Sequence, residues 1–225
     1  MGLFPWLGRS LAEEIDLDPL EIARAYAKAP RSRLLAYQIA LEALDDRSIA
    51  GDVVECGVWQ GGHAILSRLI SPDRVNWLYD TFDGMPPPAL IDGIKANAKF
   101  RGKEAAGLKW NAVSLAQVRG YLEEAGVLDE TKLRFVAGDI CETLRHSQNL
   151  PERIAMLRLD TDWHASTRDA LRALYPRLAP GGVLMIDDYG HWPGCRAAVD
   201  RYFGAPGKLI MIDYTCGYLI KSTAA

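Results

Sequence analysis

Two short apolar runs, Ile154–Leu159 and residues 183–186, each end in acid: Asp160 follows the first, Asp187 and Asp188 the second. Continuous apolar runs of this length fit strands buried on both faces of a parallel sheet. In an open α/β sheet, ligands bind beyond the carboxyl ends of the strands. If the two runs are neighbours, Asp160, Asp187 and Asp188 meet there. Like charges a few ångströms apart repel. A bound hard cation, magnesium or calcium, removes that conflict, since both suit oxygen ligands. The alternative is an N-cap, solvated carboxylates, or pairing with arginine. Asp162 lies one strand period beyond Asp160 and is read as a neighbour of the site, not a ligand.

The rest of the chain alternates in the same way. Residues 19–28 and 31–46 have helical spacing, the second with Leu34, Leu35, Ile39, Leu41 and Leu44 as its apolar stripe. A strand at 52–55 runs into a glycine turn at 57–62 and a helix at 63–70. Strands follow at 75–79, closed by Asp80, and at 132–136, closed by Gly138 and Asp139. Between them Ser114 caps a helix over Leu115–Glu124. A helix at 166–178 is ended by Pro180, Gly181 and Gly182, and another covers 196–203. Segments 209–213 and 218–220 form a terminal hairpin. The expectation is an α/β fold: a mostly parallel, doubly wound sheet with an antiparallel edge. A helical segment at 1–50 precedes a main domain at 51–225. Residues 83–110, with Pro86, Pro87 and Pro88 and scattered Lys and Arg, read as a long functional or mobile loop.

Composition limits the function classes. The 225 residues, 49% of them apolar, supply one substantial core. A net charge of −3 with no basic block argues against nucleic acid as a partner. No run approaches the roughly 20 apolar residues of a membrane span. The four cysteines form no C-x-x-C pair, which excludes the usual zinc and dithiol motifs and suits a cytoplasmic protein. Residues 1–9 are apolar but too short and too poor in early positive charge for a signal peptide.

The glycine turn reads G-x-x-x-G-G from Gly57, unlike the dinucleotide G-x-G-x-x-G, and it has no phosphate-binding lysine. Glu55, two residues before Gly57, repels a pyrophosphate and suits a cationic or amino-bearing ligand. Asp80 lies 23 residues beyond Gly57, where an acid takes ribose hydroxyls in such folds. Asp139, after the next strand, is placed to accept from the exocyclic amine of a base. A tight turn and solvated strand ends are the alternative reading of each residue alone. Together they point to an adenosyl ligand.

These residues carry a resemblance. Val54-Glu55-Cys56-Gly57-Val58-Trp59-x-Gly61-Gly62 resembles the first motif of the macrocin O-methyltransferase family. Tyr79-Asp80-Thr81-Phe82-Asp83-Gly84-Met85-Pro86, Gly138-Asp139, Leu157-Arg158-Leu159-Asp160-x-Asp162, and Asp187-Asp188-Tyr189-Gly190 with Pro193-Gly194-Cys195-Arg196 continue it in order over residues 31–204. The resemblance implies the class I methyltransferase (Rossmann-like) fold, S-adenosylmethionine and a divalent metal. It implies a hydroxyl acceptor on a sugar of a natural product, and a homo-oligomer. Glu55, Gly57 and Gly61 would hold the methionine part, Asp80 the ribose and Asp139 the adenine. Asp160, Asp187 and Asp188 match the family's metal carboxylates. His63, Thr161 and His164 depart from the family pattern at the edge of the site. For the proton acceptor the candidates are Asp160, His164 and His191. Segment 83–110 would close over the acceptor, with Phe100 and Trp110 excluding water. The competing functions are a catechol-type O-methyltransferase on a phenolic or carboxylate acceptor, and a non-catalytic adenosyl-binding module.

Overall fold

A computed structural model of the chain describes residues 18–204 and 208–222. The reading of residues 1–9, and the first part of the N-terminal helical segment, lie outside the described residues. Helix α1 (Pro19–Arg24) starts where Asp18 accepts from the Leu20 amide at 3.0 Å and Pro19 occupies the first turn. Helix α2 (Arg31–Asp46) buries Leu34, Tyr37, Leu41 and Leu44. Leu35 and Ile39 of the expected stripe are instead exposed. The reason is angular. Steps of three and four residues keep Leu34, Tyr37, Leu41 and Leu44 on one stripe, whereas at roughly 100° per residue Leu35 and Ile39 rotate off it.

The sheet has seven strands in the order β3-β2-β1-β4-β5-β7-β6. Strands β1 (Asp52–Cys56), β2 (Asn76–Asp80), β3 (Leu133–Ala137), β4 (Ile154–Leu159) and β5 (Leu178–Ile186) are parallel. Strands β6 (Ile210–Met211) and β7 (Gly217–Ile220) add the antiparallel edge. The chain winds outward from β1 to β3, then returns to β4 beside β1. That reversal opens the crevice in which ligands of such sheets bind.

Side-chain alternation splits the core across the two faces. Val53, Met156 and Met185 pack with α1, α2, helix α3 (Gly62–Ile70) and helix α5 (Leu115–Glu124). Val54, Leu157 and Leu184 pack on the other face with helices α7 (His164–Leu174) and α8 (Pro193–Phe203). Register then sets the site. Cys56 pairs with Leu159, and Leu159 with Ile186, so the next residues, Gly57, Asp160 and Asp187, emerge level. The ladder continues through the Asp160 amide to Cys56 O (2.8 Å) and the Asp187 amide to Leu159 O (2.9 Å).

Three expectations need correction. Segment 83–110 is not a structureless loop: it holds a 3-10 turn at Leu90–Asp92 and helix α4 (Ile94–Ala105). The helix expected at 166–178 starts at His164 and ends at Leu174, and Pro180, Gly181 and Gly182 lie inside β5. A register irregularity between Ile154 and Met156 lets β5 pass through that sequence while remaining paired. The helix expected at 196–203 begins at Pro193, whose missing N–H is harmless in a first turn. A short helix α6 (Ile140–Thr143) also follows β3.

Candidate active site

A cleft of about 370 Å³ opens over the carboxyl ends of β1, β2, β4 and β5. Its floor is acidic. Asp160, Asp187 and Asp188 each present a carboxylate oxygen within 4.8 Å of the others. Two arginines hold this floor. Arg158, 2% exposed inside the fully buried β4, donates to Glu55 Oε1 (2.9 Å), Asp160 Oδ2 (2.7 Å) and Asp187 Oδ1 (3.1 Å). Arg33 from α2 donates to Asp187 Oδ2 (2.6 Å) and Asp213 Oδ2 (2.6 Å), and also to Thr215 Oγ1. Asp188 Oδ2 is shielded from solvent and has no donor to accept from. Burial, and after it the charge of Asp162, holds the Asp188 carboxyl well above the usual range. Burial and Asp160 push Asp162 up to about 7. Asp162 lines the cleft and accepts from Trp192 Nε1 at 3.1 Å, but it stands outside the group of three.

The glycine turn forms the adjoining wall. Gly57 has φ +90°, and a Cβ there would lie 2.0 Å from Asp160 O. Gly61, φ +87°, caps α3 just behind the lining, and Gly62 takes its place in the wall. Glu55 is buried beneath, with Oε2 lacking any partner. Burial, partly offset by Arg158, pushes its carboxyl up to about 8. Asp80 braces the turn: Oδ2 accepts from the amides of Val58 (2.7 Å) and Trp59 (3.1 Å), and Oδ1 from Phe82 (2.9 Å). Asp139 lines the cleft and caps α6 by accepting from the Cys141 amide at 2.8 Å. Trp59, Asn111 and Asp162, all in the lining, have φ of 50°, 55° and 60°. Positive φ is tolerated by Asn and Asp but costs on the order of 1–3 kcal/mol at a residue such as Trp59, and it gathers where a site demands special geometry.

The two histidines part company. His191 lines the cleft, with Nδ1 2.7 Å from Tyr214 Oη and Nε2 3.3 Å from Lys95 Nζ. Burial, then Lys95 and Lys99, lowers its pKa and keeps the ring neutral. His164 is not brought to the cleft. It opens α7, its amide donates to Asp92 Oδ1 at 2.7 Å, and Nε2 is buried without a partner. The far wall is aromatic. Trp110, Trp163 and Trp192 pack edge to face, with centroids 5.4–6.2 Å apart. Trp163 Nε1 donates to Pro86 O (2.9 Å), which ties segment 83–110 to this cluster.

The macrocin-O-methyltransferase (TylF) family profile matches residues 16–221. The chain belongs to the macrocin O-methyltransferase family. It is 37% identical over 225 residues to an 8-demethyl-8-(2,3-dimethoxy-alpha-L-rhamnosyl)-tetracenomycin-C 4′-O-methyltransferase of Streptomyces olivaceus, covering 94% of this chain and 83% of the relative. It is 35% identical to mycinamicin III 3″-O-methyltransferase of Micromonospora griseorubida over 84% of this chain and 76% of the relative. Among solved structures, the O-methyltransferase NovP superposes with a TM-score of 0.77 at 32% identity, over 88% of this chain and 82% of NovP. The chain is an O-methyltransferase with the class I methyltransferase fold.

Within this macrocin O-methyltransferase family member, sequence reasoning placed the acids and named pairing with arginine as the alternative; the structure shows that pairing for Asp160 and Asp187, by arginines the sequence had not singled out. Arg158 had a legible signal, a single charge within the otherwise apolar run Ile154–Leu159. Arg33 had none, because its contact with Asp187 spans 154 residues. The tryptophan cluster draws on three separate segments and was equally silent.

Proposed function

We propose that this O-methyltransferase transfers the methyl group of S-adenosylmethionine to a sugar hydroxyl of a natural-product saccharide and depends on a divalent cation, magnesium being the expected ion. The observation that carries the reading is that the three clustered carboxylates and the Gly57 turn share one cleft. Glu55 and Gly57 hold the methionine end from the cleft wall, with Gly61 shaping the turn behind it, Asp80 takes the ribose and Asp139 the adenine. The unpaired Glu55 Oε2 suits the cofactor's ammonium group. Asp160, Asp187 and Asp188 fit a hard cation: the donors are all oxygen, and Asp188 Oδ2 is buried without a donor. Asp187 accepts from two arginines yet keeps lone pairs, because a carboxylate offers about four acceptor sites. The sugar acceptor follows from the named relatives, of which the tetracenomycin enzyme is described by its rhamnosyl substrate.

S-adenosylmethionine supplies an electrophilic methyl group, and a bound divalent cation makes the acceptor hydroxyl acidic enough to ionise near neutrality. The chain's residues do the rest. Asp160 takes the hydroxyl proton, and His191, neutral and hydrogen-bonded to Tyr214, is the alternative acceptor. Arg158 and Arg33 keep Asp160 and Asp187 fixed, which would orient a bound acceptor towards the methyl group. The tryptophan wall excludes water. Segment 83–110, anchored through Asp92 and Trp110, closes over the acceptor, and α4 is its moving part.

The test is formation of S-adenosylhomocysteine with a panel of rhamnosides and phenols, before and after chelation. Turnover should require a sugar hydroxyl, vanish on chelation and return with magnesium. Full turnover in chelator removes the cation from the reading, and preferential methylation of phenols removes the sugar. Limited proteolysis should show α4 protected when cofactor and acceptor are both present; unchanged cleavage there removes the lid.

A further inference from the structure

His63 is the second residue of α3 and lines the cleft beside Glu55, the two being 4% and 1% exposed. Its Nδ1 lies 3.8 Å from Glu55 Oε1, the oxygen that Arg158 Nη1 reaches at 2.9 Å. Glu55 Oε2 has no partner among the described residues, and neither has His63 Nε2. The Tyr37 ring from α2 meets the imidazole edge to face, with centroids 5.0 Å apart. Ser67, four residues further along α3, shares the helix face of His63. Its hydroxyl bears on the Tyr37 phenol, so two hydroxyls belong to the same buried layer.

A histidine kept in a core for stability has its ring nitrogens satisfied. Here Nε2 is buried without a partner, which costs about 1–3 kcal/mol. Burial first, then Arg158 and Arg33, holds the His63 pKa well below its ordinary value, so the ring is neutral and gains no ion pair with Glu55. A neutral imidazole offers one donor and one acceptor. An ionised carboxylate only accepts, so Nδ1, which faces Glu55, is the nitrogen that carries the proton, and Nε2 is left an acceptor among hydroxyls able to donate. At 3.8 Å Nδ1 stands just beyond hydrogen-bond reach. A small rotation of either side chain closes the gap once a cationic ligand at Oε2 keeps Glu55 ionised. Arg158 alone leaves that carboxylate loose. Its guanidinium is divided among Glu55, Asp160 and Asp187, and one N–H on Oε1 lets the carboxylate swing about that contact.

We infer that His63 is a positioning residue for the amino-acid end of the cofactor: with Arg158 it holds Glu55 Oε1 at two points, so that Oε2 stays turned to the ligand's ammonium group. This rests on the reading in which Glu55 receives that ammonium, and it adds the residue that sets the angle of reception. The adenine and ribose are assigned to Asp139 and Asp80, away from His63. The imidazole therefore favours ligands that carry the amino-acid end over those that carry the adenosine alone.

The test compares two ligands that share the adenosine and differ at that end: S-adenosylhomocysteine carries the ammonium, and methylthioadenosine does not. Both affinities are measured by calorimetry on the full chain, and their ratio is the readout. His63→Leu should lower the preference for S-adenosylhomocysteine about tenfold, with methylthioadenosine bound as in wild type. His63→Asn, whose amide nitrogen can stand where Nδ1 stands, should restore the ratio to within about threefold of wild type. His63→Gln, whose amide reaches the place of Nε2 instead, should not. Equal weakening of both ligands, as lost packing alone would give, overturns the inference. So does an unchanged ratio in His63→Leu, or one ratio shared by the Leu and Asn variants. If His63→Leu does not fold, the Asn and Gln variants decide, and an equal ratio in those two overturns the inference. Glu55→Gln judges the reading underneath. A wild-type ratio in that variant takes the ammonium away from Glu55, whereas a fall there with none in the His63 variants removes His63 alone.

Discussion

The floor and the rim of one cleft solve the problem of concentrated charge in opposite ways. The floor acids stand at strand ends locked by register, and Arg158 and Arg33 clamp Asp160 and Asp187, leaving Asp188 Oδ2 without a donor. At the rim, Lys95 and Lys99 stand on α4 and Lys28 in the connection between α1 and α2; they are exposed, form no ion pairs among the described residues and lie over the rings of Trp192, Trp110 and Trp59. Burial accounts for the difference. A charge removed from water needs its partner built into the fold, whereas an exposed ammonium stays solvated until a ligand arrives. Damage to the floor should therefore reach both stability and chemistry. Damage to the rim should reach ligand affinity alone.

The largest effect is expected at the floor. Asp160→Ala should lower turnover at saturating magnesium by at least about 10³-fold, while S-adenosylhomocysteine affinity by calorimetry stays within about threefold. Wild-type turnover in that variant would remove Asp160 from both of its assigned roles. Next is Arg158→Met, which leaves Glu55, Asp160 and Asp187 without their shared counter-charge. Breaking a buried pair from one side costs about 3–5 kcal/mol, to be read from denaturant unfolding. Arg33→Met should cost less, because its side chain is 14% exposed against 3% for Arg158. Magnesium should raise Tm more in the Arg158→Met variant than in wild type, since it replaces part of the missing positive charge. An equal rise would separate the arginine from the cation site.

The glycine turn offers a sharper contrast between two neighbouring residues of the same type. At Gly57 a Cβ would meet Asp160 O at 2.0 Å with φ at +90°, so Gly57→Ala must push the floor itself. A loss of about 3 kcal/mol is expected, with activity lost as well. At Gly61 the backbone is similar, φ +87°, but the nearest atom is Val118 Cγ1 at an ordinary 3.5 Å. Gly61→Ala should cost only about 1 kcal/mol. Equal unfolding midpoints for the two variants would refute the steric coupling of Gly57 to Asp160.

The same division decides what the sequence made legible. The acids at 160, 187 and 188 were readable because a buried parallel strand is a nearly continuous apolar run, broken here only by Arg158, and its end is a local event. The class of fold was readable for the same reason. Helix α4 was not, because Ala96 is its one buried residue. A helix that packs so little of itself has no apolar stripe, and its lysine row has the composition of a loop. Pro180, Gly181 and Gly182 read as a helix terminator, yet long-range pairing with β4 drew them into β5. His164 looked like a site residue because it is an imidazole, able to take a proton near neutrality, close in sequence to the acid Asp160. The start of α7 carries it away from the cleft, and only the three-dimensional course of the chain reveals that.

A smaller effect on the floor is its response to pH. Burial holds the Glu55 carboxyl at about 8 against an ordinary 4.5. Between those values the folded chain keeps a proton that the unfolded chain has released. Stability therefore falls as pH rises through that window. The unfolding midpoint should drop from pH 5 to pH 8, and Glu55→Gln should flatten the part that Glu55 contributes. An ammonium-bearing cofactor favours the ionised carboxylate, so its stabilising effect should be larger at pH 8 than at pH 6. An unchanged pH slope in Glu55→Gln would remove Glu55 as its source.

The smallest stability effect is expected at the rim, and it tests whether the comparison holds at all. Lys95→Ala/Lys99→Ala removes two like charges one helical turn apart and no ion pair among the described residues. Unfolding free energy should move by no more than about 0.5 kcal/mol, and relief of repulsion along α4 makes a slight gain the expected sign. A loss above about 1 kcal/mol without ligand would mean that the lysines already serve as counter-charges for Asp160 and Asp162 across the cleft, as the field felt at Lys28 allows. Floor and rim would then be one electrostatic unit.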